Sequence, residues 1–122
     1  MSASNEDKKI ENIIPVLPVK DIQQSIQFYT ETLDFELAWG GGDGETLGAV
    51  AKDGFSIYLS EDANNNGGMC VWIGMEDDSL FALYQSRGVK VVLQPQNRPW
   101  AYEMKIADPD GNVLWLGTGP KA

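Results

Sequence analysis

The sequence predicts an α+β domain built from two βαβββ modules. Two observations carry this. The order strand, helix, three strands reads twice along the chain, over about residues 13–60 and 69–118. The halves also match in residues. Lys20-Asp21 and Glu76-Asp77 precede the two helices, and Asp53-Gly54 before Phe55 to Leu59 answers Asp110-Gly111 before Asn112 to Leu116. Two such units make a duplication, too short for a solenoid.

The elements follow in order. Residues 1–12 form a polar arm. Ile13 to Val19 reads as a strand, at an edge or broken by bulges because of Pro15 and Pro18. Asp21 caps a helix whose apolar face is Ile22, Ile26, Tyr29 and Leu33. Phe35 to Trp39 is a short strand and Gly40 to Gly44 a flexible loop. That loop has no Lys-Ser/Thr ending and no helix after it, so it is not a phosphate cradle. Thr46 to Ala51 and Phe55 to Ser60 form a hairpin, and Glu61 to Gly68 is a polar linker. In the second half, Met69 to Met75 is a strand. A helix then runs from Asp77 or Ser79 to a left-handed stop at Gly88. Val89 to Leu93 is a strand and Gln94 to Arg98 a loop. Ala101 to Ala107 and Val113 to Gly117 close the chain as a hairpin about Asp108-Pro-Asp-Gly-Asn112.

Composition narrows the function. The 122 residues suffice for one ordinary domain, and 43 % hydrophobic content supports a core. No apolar run approaches the ~20 residues of a membrane helix. The N-terminus lacks the apolar stretch of a secretory signal, so a cytoplasmic protein is expected. The single cysteine, Cys70, excludes an internal disulfide framework and is expected to be a buried small hydrophobe. Nine basic against 18 acidic residues give a net charge of -9. That field repels nucleic acid and anionic lipid and attracts cations, although solubility alone explains most acidic surfaces. There is no histidine, which excludes a Ser-His-Asp triad and His-based zinc or iron sites.

Alternation assigns faces. Ile57, Leu59, Leu114 and Leu116 should pack under the helices. Tyr58 and Trp115, at equivalent positions in the two halves, should point the other way, and Cys70 and Trp72 share a face opposite Val71 and Ile73. A sheet with helices on one side and Tyr and Trp on the other presents an aromatic surface, covered by a partner or used for a ligand.

Several stretches together resemble the glyoxalase / bleomycin-resistance / extradiol dioxygenase superfamily, the vicinal oxygen chelate fold. They are Ile14-Pro-Val-Leu-Pro-Val-Lys-Asp21, Ile26-Gln-Phe-Tyr-Thr30, Leu33-Asp-Phe35 and Asp108-Pro-Asp-Gly-Asn112. The resemblance implies paired βαβββ modules that curl into cups. Val71-Trp-Ile73, and Arg98-Pro-Trp100 followed by Glu103, are most similar to the bleomycin-resistance proteins. This implies a homodimer with two grooves, each holding the flat, cationic drug against aromatics such as Trp39. The superfamily's metalloenzymes take four ligands from four strands. The matching positions here are Ile14, Tyr58, Cys70 and Trp115, which implies no metal and removes the metal-dependent chemistries.

The expected ligand contacts are therefore Trp39, Tyr58, Trp72, Trp100, Tyr102 and Glu103, with no catalytic residue and no cofactor. Each has a plainer reading. Trp100 and Trp39 can cap core edges, and Tyr58, Trp72 and Trp115 can pack on one another to plug a former metal position. Tyr102 shares parity with Met104 and Ile106, which leaves its face open. Glu103 follows Trp100 and would meet a cationic group. The other paired acids lie in turns or helix starts, where Asp and Glu are structural by default. Three functions remain: a metal-free protein sequestering bleomycin-family antibiotics, a binder of another planar metabolite, or an enzyme with an unrecognised site.

Overall fold

The computed structural model describes residues 7–64 and 68–122. Residues 1–6 of the polar arm and 65–67 of the linker lie outside the described residues. The first module holds β1 (Val16–Val19), α1 (Ile22–Gln27), β2 (Glu36–Gly40), β3 (Leu47–Lys52) and β4 (Phe55–Glu61). The second holds β5 (Cys70–Gly74), α2 (Ser79–Ser86), β6 (Lys90–Asn97), β7 (Tyr102–Ala107) and β8 (Val113–Thr118). Each module forms one four-stranded mixed sheet, β1-β4-β3-β2 and β5-β8-β7-β6. The first strand of each runs parallel to the last, and the other pairs are antiparallel. This is the α+β architecture of the vicinal oxygen chelate fold.

Local chemistry sets the helix ends. The Asp21 carboxylate accepts from the Gln23 and Gln24 amides and so caps α1. Beyond Gln27 the helix widens into a π turn, Phe28–Thr32, closed by the Leu33 amide on the Phe28 carbonyl. The Thr30 hydroxyl donates to the Ile26 carbonyl at 2.8 Å, competing for the acceptor that an α-helix would use. Tyr29 and Leu33 still reach the core on the same side as Ile22. At the start of α2, Asp77 accepts from the Ser79 amide and hydroxyl.

The inner faces of both sheets share one core. Leu17, Val19, Ile57 and Leu59 meet Met104, Ile106, Leu114 and Leu116, with Tyr29, Phe81 and Tyr84 from the helical segments between them. The closing turn fastens the modules together. Asp108, only 5 % exposed, accepts from the Tyr29 hydroxyl, the Asn112 side chain and the amides of Asp110 and Asn112, all at 2.9 Å. Asn112, fully buried, also donates to the Pro18 carbonyl and accepts from the Met69 amide. The Lys20 amide donates to Asp110. Residues distant in sequence are thus joined through one five-residue turn. Gly111 makes the turn possible by taking φ 82°.

Two expectations change. The stretch read as a loop from Gln94 continues β6 as far as Asn97. β6 is an edge strand of its sheet, and its ladder is irregular between Leu93 and Gln96, which accommodates Pro95. Cys70 is exposed rather than buried, because its face of β5 turns away from the core.

Candidate functional site

Because the inner faces meet in one core, the outer faces look away from it. On the first sheet, Trp39 of β2 and Tyr58 of β4 both neighbour Ala49 of β3 in register. Their rings meet edge to face, centroids 5.0 Å apart and planes at 75°. Ala49 beneath them is fully buried, while Trp39 remains 43 % exposed. This pair forms the first aromatic platform.

The second platform lies on the outer face of the other sheet. Trp72 of β5 stands opposite Trp115 of β8, and their rings meet at 84° with centroids 5.2 Å apart. Trp72 lies across Gly117, whose missing side chain leaves room for the indole. Lys105 of β7 is the register partner of Trp115, and its Nζ sits 4.6 Å from that ring's centroid. Glu103, partner of Gly117, is 3 % exposed and accepts from Trp100 Nε1 at 3.0 Å. Trp100 itself is 64 % exposed, so this carboxylate orients a solvent-facing indole.

Of the six expected contacts, the structure pairs Trp39 with Tyr58 on one face, and sets Trp72, Trp100 and Glu103 around the other. Tyr102 is not brought to either face. It stacks on Phe81 of α2 at 5.5 Å and 13°, with Lys121 Nζ 4.5 Å above its ring. The reason is parity: Tyr102 points the same way as buried Met104 and Ile106. Glu103 meets an indole N–H where a cationic group was expected. Lys105 was missed, although counting back from the turn through the pair Ala107 and Val113 places it opposite Trp115.

The positions matching superfamily metal ligands offer no suitable set. Ile14 has no donor atom, and Trp115 presents an N–H without a lone pair to give. That leaves Cys70 and Tyr58, two donors where the superfamily's metal sites take four. Among the described residues no cluster of acids and cysteine is arranged to hold a metal ion. A cleft of about 960 Å³ opens between the modules, with Ile13, Phe55, Val71, Ile73 and Leu80 among its mainly apolar walls and Trp72 of the second platform at its lining. The arm residues Asn12 to Pro15, the turn Lys52 to Gly54 and the inner-face residues Ile57, Leu114 and Leu116 complete it, and neither Trp39 nor Tyr58 lines it. Among the described residues no helix is long and apolar enough to cross a membrane.

The two βαβββ sheets thus each carry an aromatic pair on the outer face, Trp39–Tyr58 and Trp72–Trp115. A family profile for the glyoxalase/bleomycin resistance protein/dioxygenase superfamily matches residues 10–116, and the chain belongs to that superfamily. Among solved structures, TnmS3, an antibiotic binding protein from Streptomyces sp. CB03234, is 30 % identical with a TM-score of 0.78, over 92 % of this chain and 98 % of that one. A glyoxalase/bleomycin resistance protein from the same organism is 32 % identical with a TM-score of 0.70, over 88 % and 99 %. An integron cassette protein from the mobile metagenome of a Halifax Harbour sewage outfall is 26 % identical with a TM-score of 0.76, over 89 % and 99 %. A comparison with curated proteins finds no match.

Proposed function

We propose that this chain is a non-enzymatic binding protein that sequesters planar antibiotics in aromatic grooves of a homodimer and so confers resistance. Bleomycin-family glycopeptides are the first ligand class to test. The observation that carries the reading is the pair of half-exposed aromatic platforms where the superfamily's metal ligands would stand. The likeness to an antibiotic-binding structure at 30 % identity supports it. A second copy is needed because one chain turns its platforms away from each other. A dimer that sets the first sheet of one protomer against the second sheet of its partner encloses a flat ring on both sides.

Stacking on an indole contributes about 0.5–1.5 kcal/mol per contact beyond burial, so the platforms set affinity and pose. The net charge of -9 acts at longer range and speeds capture of a cationic drug. One observation favours a second reading, another planar metabolite: Lys105 already sits over Trp115 and disfavours a cation there.

The test is titration of metal-free bleomycin into the full chain, followed by tryptophan fluorescence, with Trp100→Ala and Trp39→Ala alongside and sedimentation to count subunits. Saturation at one drug per subunit, weakened about tenfold by each substitution, is the expected result. No saturable response at micromolar drug removes the bleomycin assignment. A monomer that binds with full affinity removes the shared groove.

A further inference from the structure

Resting on that binding reading, we infer that the second sheet's outer face takes a planar aromatic ring bearing an oxygen acceptor. A carbonyl or an ionised oxygen would be held by Trp115 Nε1 and Lys105 Nζ. Trp115 Nε1 is buried and has no hydrogen-bond partner among the described residues. Such a donor is costly to leave unpaired, and few groups of the native state are left so. Lys105 makes no ion pair among the described residues, and its ammonium rests over the Trp115 ring. On the same strand as Lys105, Glu103 Oε1 accepts from Trp100 Nε1. The face therefore carries an ammonium outside any such ion pair and, beneath the surface, an indole N–H that a seated ring would have to uncover.

This pattern selects against a cation. The π-face that would attract one is already occupied by Lys105, which also repels it. A flat ring edged with an oxygen meets both needs. It stacks against the half-exposed Trp72 while the oxygen approaches the ammonium and the indole N–H. The acidic surface does not oppose this at contact distance, because exposed charges are screened within ~8 Å at physiological salt. The ammonium lies on the platform itself. The ligand class is then a carbonyl-bearing, phenolic or carboxylated polycyclic aromatic.

Three probes with one ring system test it: 2-naphthoate, 2-naphthamide and 2-naphthylmethylammonium, titrated by calorimetry into the full chain. Naphthoate should bind at least tenfold more tightly than the ammonium, with the amide between them. Lys105→Met should cost naphthoate about tenfold and leave the ammonium probe unchanged or improved. Trp115→Phe should weaken both oxygen-bearing probes more than the ammonium. Should Trp115→Phe fold poorly, Lys105→Met, at a half-buried position outside the core, decides alone. Equal or tighter binding of the ammonium overturns the inference and leaves sequestration by stacking standing. So does a naphthoate preference that survives Lys105→Met. Absence of binding by all three probes overturns both.

Discussion

Replacing Gly117 by alanine should dislodge the second platform without disturbing the backbone. Gly117 does not occupy the positive-φ region, so alanine can take its conformation. The added Cβ, however, would lie 2.7 and 2.8 Å from Cζ2 and Cζ3 of Trp72 and closer still to its Cη2. Carbons do not approach so near. The obstacle is a side chain 48 % exposed on an outer face, so the ring swings outward rather than the strand breaking. The cost is the Trp72–Trp115 contact, about 0.5–1.5 kcal/mol, plus apolar cover lost when the indole moves. About 1–2 kcal/mol in all corresponds to a melting point lower by roughly 4–8 °C for a domain of this size. Circular-dichroism melts measure the first quantity, and a red-shifted tryptophan emission reports the ring entering water. Affinity for a planar ligand should fall about tenfold because one wall of the site has moved. An unchanged melting point together with unchanged emission would refute this placement of Trp72.

Other consequences concern the turn and the core. Tyr29→Phe removes a hydroxyl donated to the buried Asp108 carboxylate and should cost about 1.5–3 kcal/mol in urea unfolding. Asn112→Ala strands the Met69 amide and removes a donor from the Pro18 carbonyl and should cost about 2–3 kcal/mol, with ligand affinity lost only through unfolding. Burial, then Asp108, holds the Tyr29 hydroxyl well above its ordinary value, and burial, then Asp34, pushes Tyr84 up to about 12. The folded chain keeps protons that the unfolded chain releases from about pH 10. Stability is therefore full below pH 10 and falls toward pH 12, and Tyr84→Phe should flatten that slope in denaturation measured across pH. Burial likewise raises Asp110, against the lowering effect of the Lys20 amide. Stability should decline as pH rises through the interval just above the ordinary carboxylate value, and Asp110→Asn should remove that decline.

Most of the fold was legible because its signals are local. Asp21 caps a helix, period-two alternation marks the strands, and the Asp108-to-Asn112 turn fixes the register of β7 and β8. What was not legible depends on neighbours in space. β6 outlasts Pro95 because it is an outer strand, and no local pattern states which strand is outermost. Cys70 is exposed because the core lies on the other side of β5, although cysteine alone favours burial. At the site, parity correctly sent Tyr58, Trp72 and Trp115 outward. It left the face of Tyr102 open, and the structure turns that ring toward Phe81 on the side of Met104 and Ile106. Lys105 was overlooked because a lysine in a strand ordinarily reads as a solubilising residue. Only the register of the closing hairpin sets it over Trp115.

The separation of faces explains how such a fold can change ligands without losing stability. The core is made by the inner faces and locked by the Asp108–Tyr29–Asn112 hydrogen bonds. The outer faces carry the platforms and contribute little to that core. Trp115 can stand on the outer face while Leu114 and Leu116, its neighbours in sequence, stay buried on the inner one. Position 105 then becomes a determinant of charge. A lysine over the indole favours oxygen-bearing rings, whereas a neutral or acidic residue there would leave the π-face open to a cation. Lys105→Glu should accordingly reverse the probe order, with 2-naphthylmethylammonium binding more tightly than 2-naphthoate. Its stability should fall by no more than about 2 kcal/mol, the upper scale of a cation–π contact. If the order is unchanged in that variant, Lys105 does not set the charge preference, and another donor on the same face must.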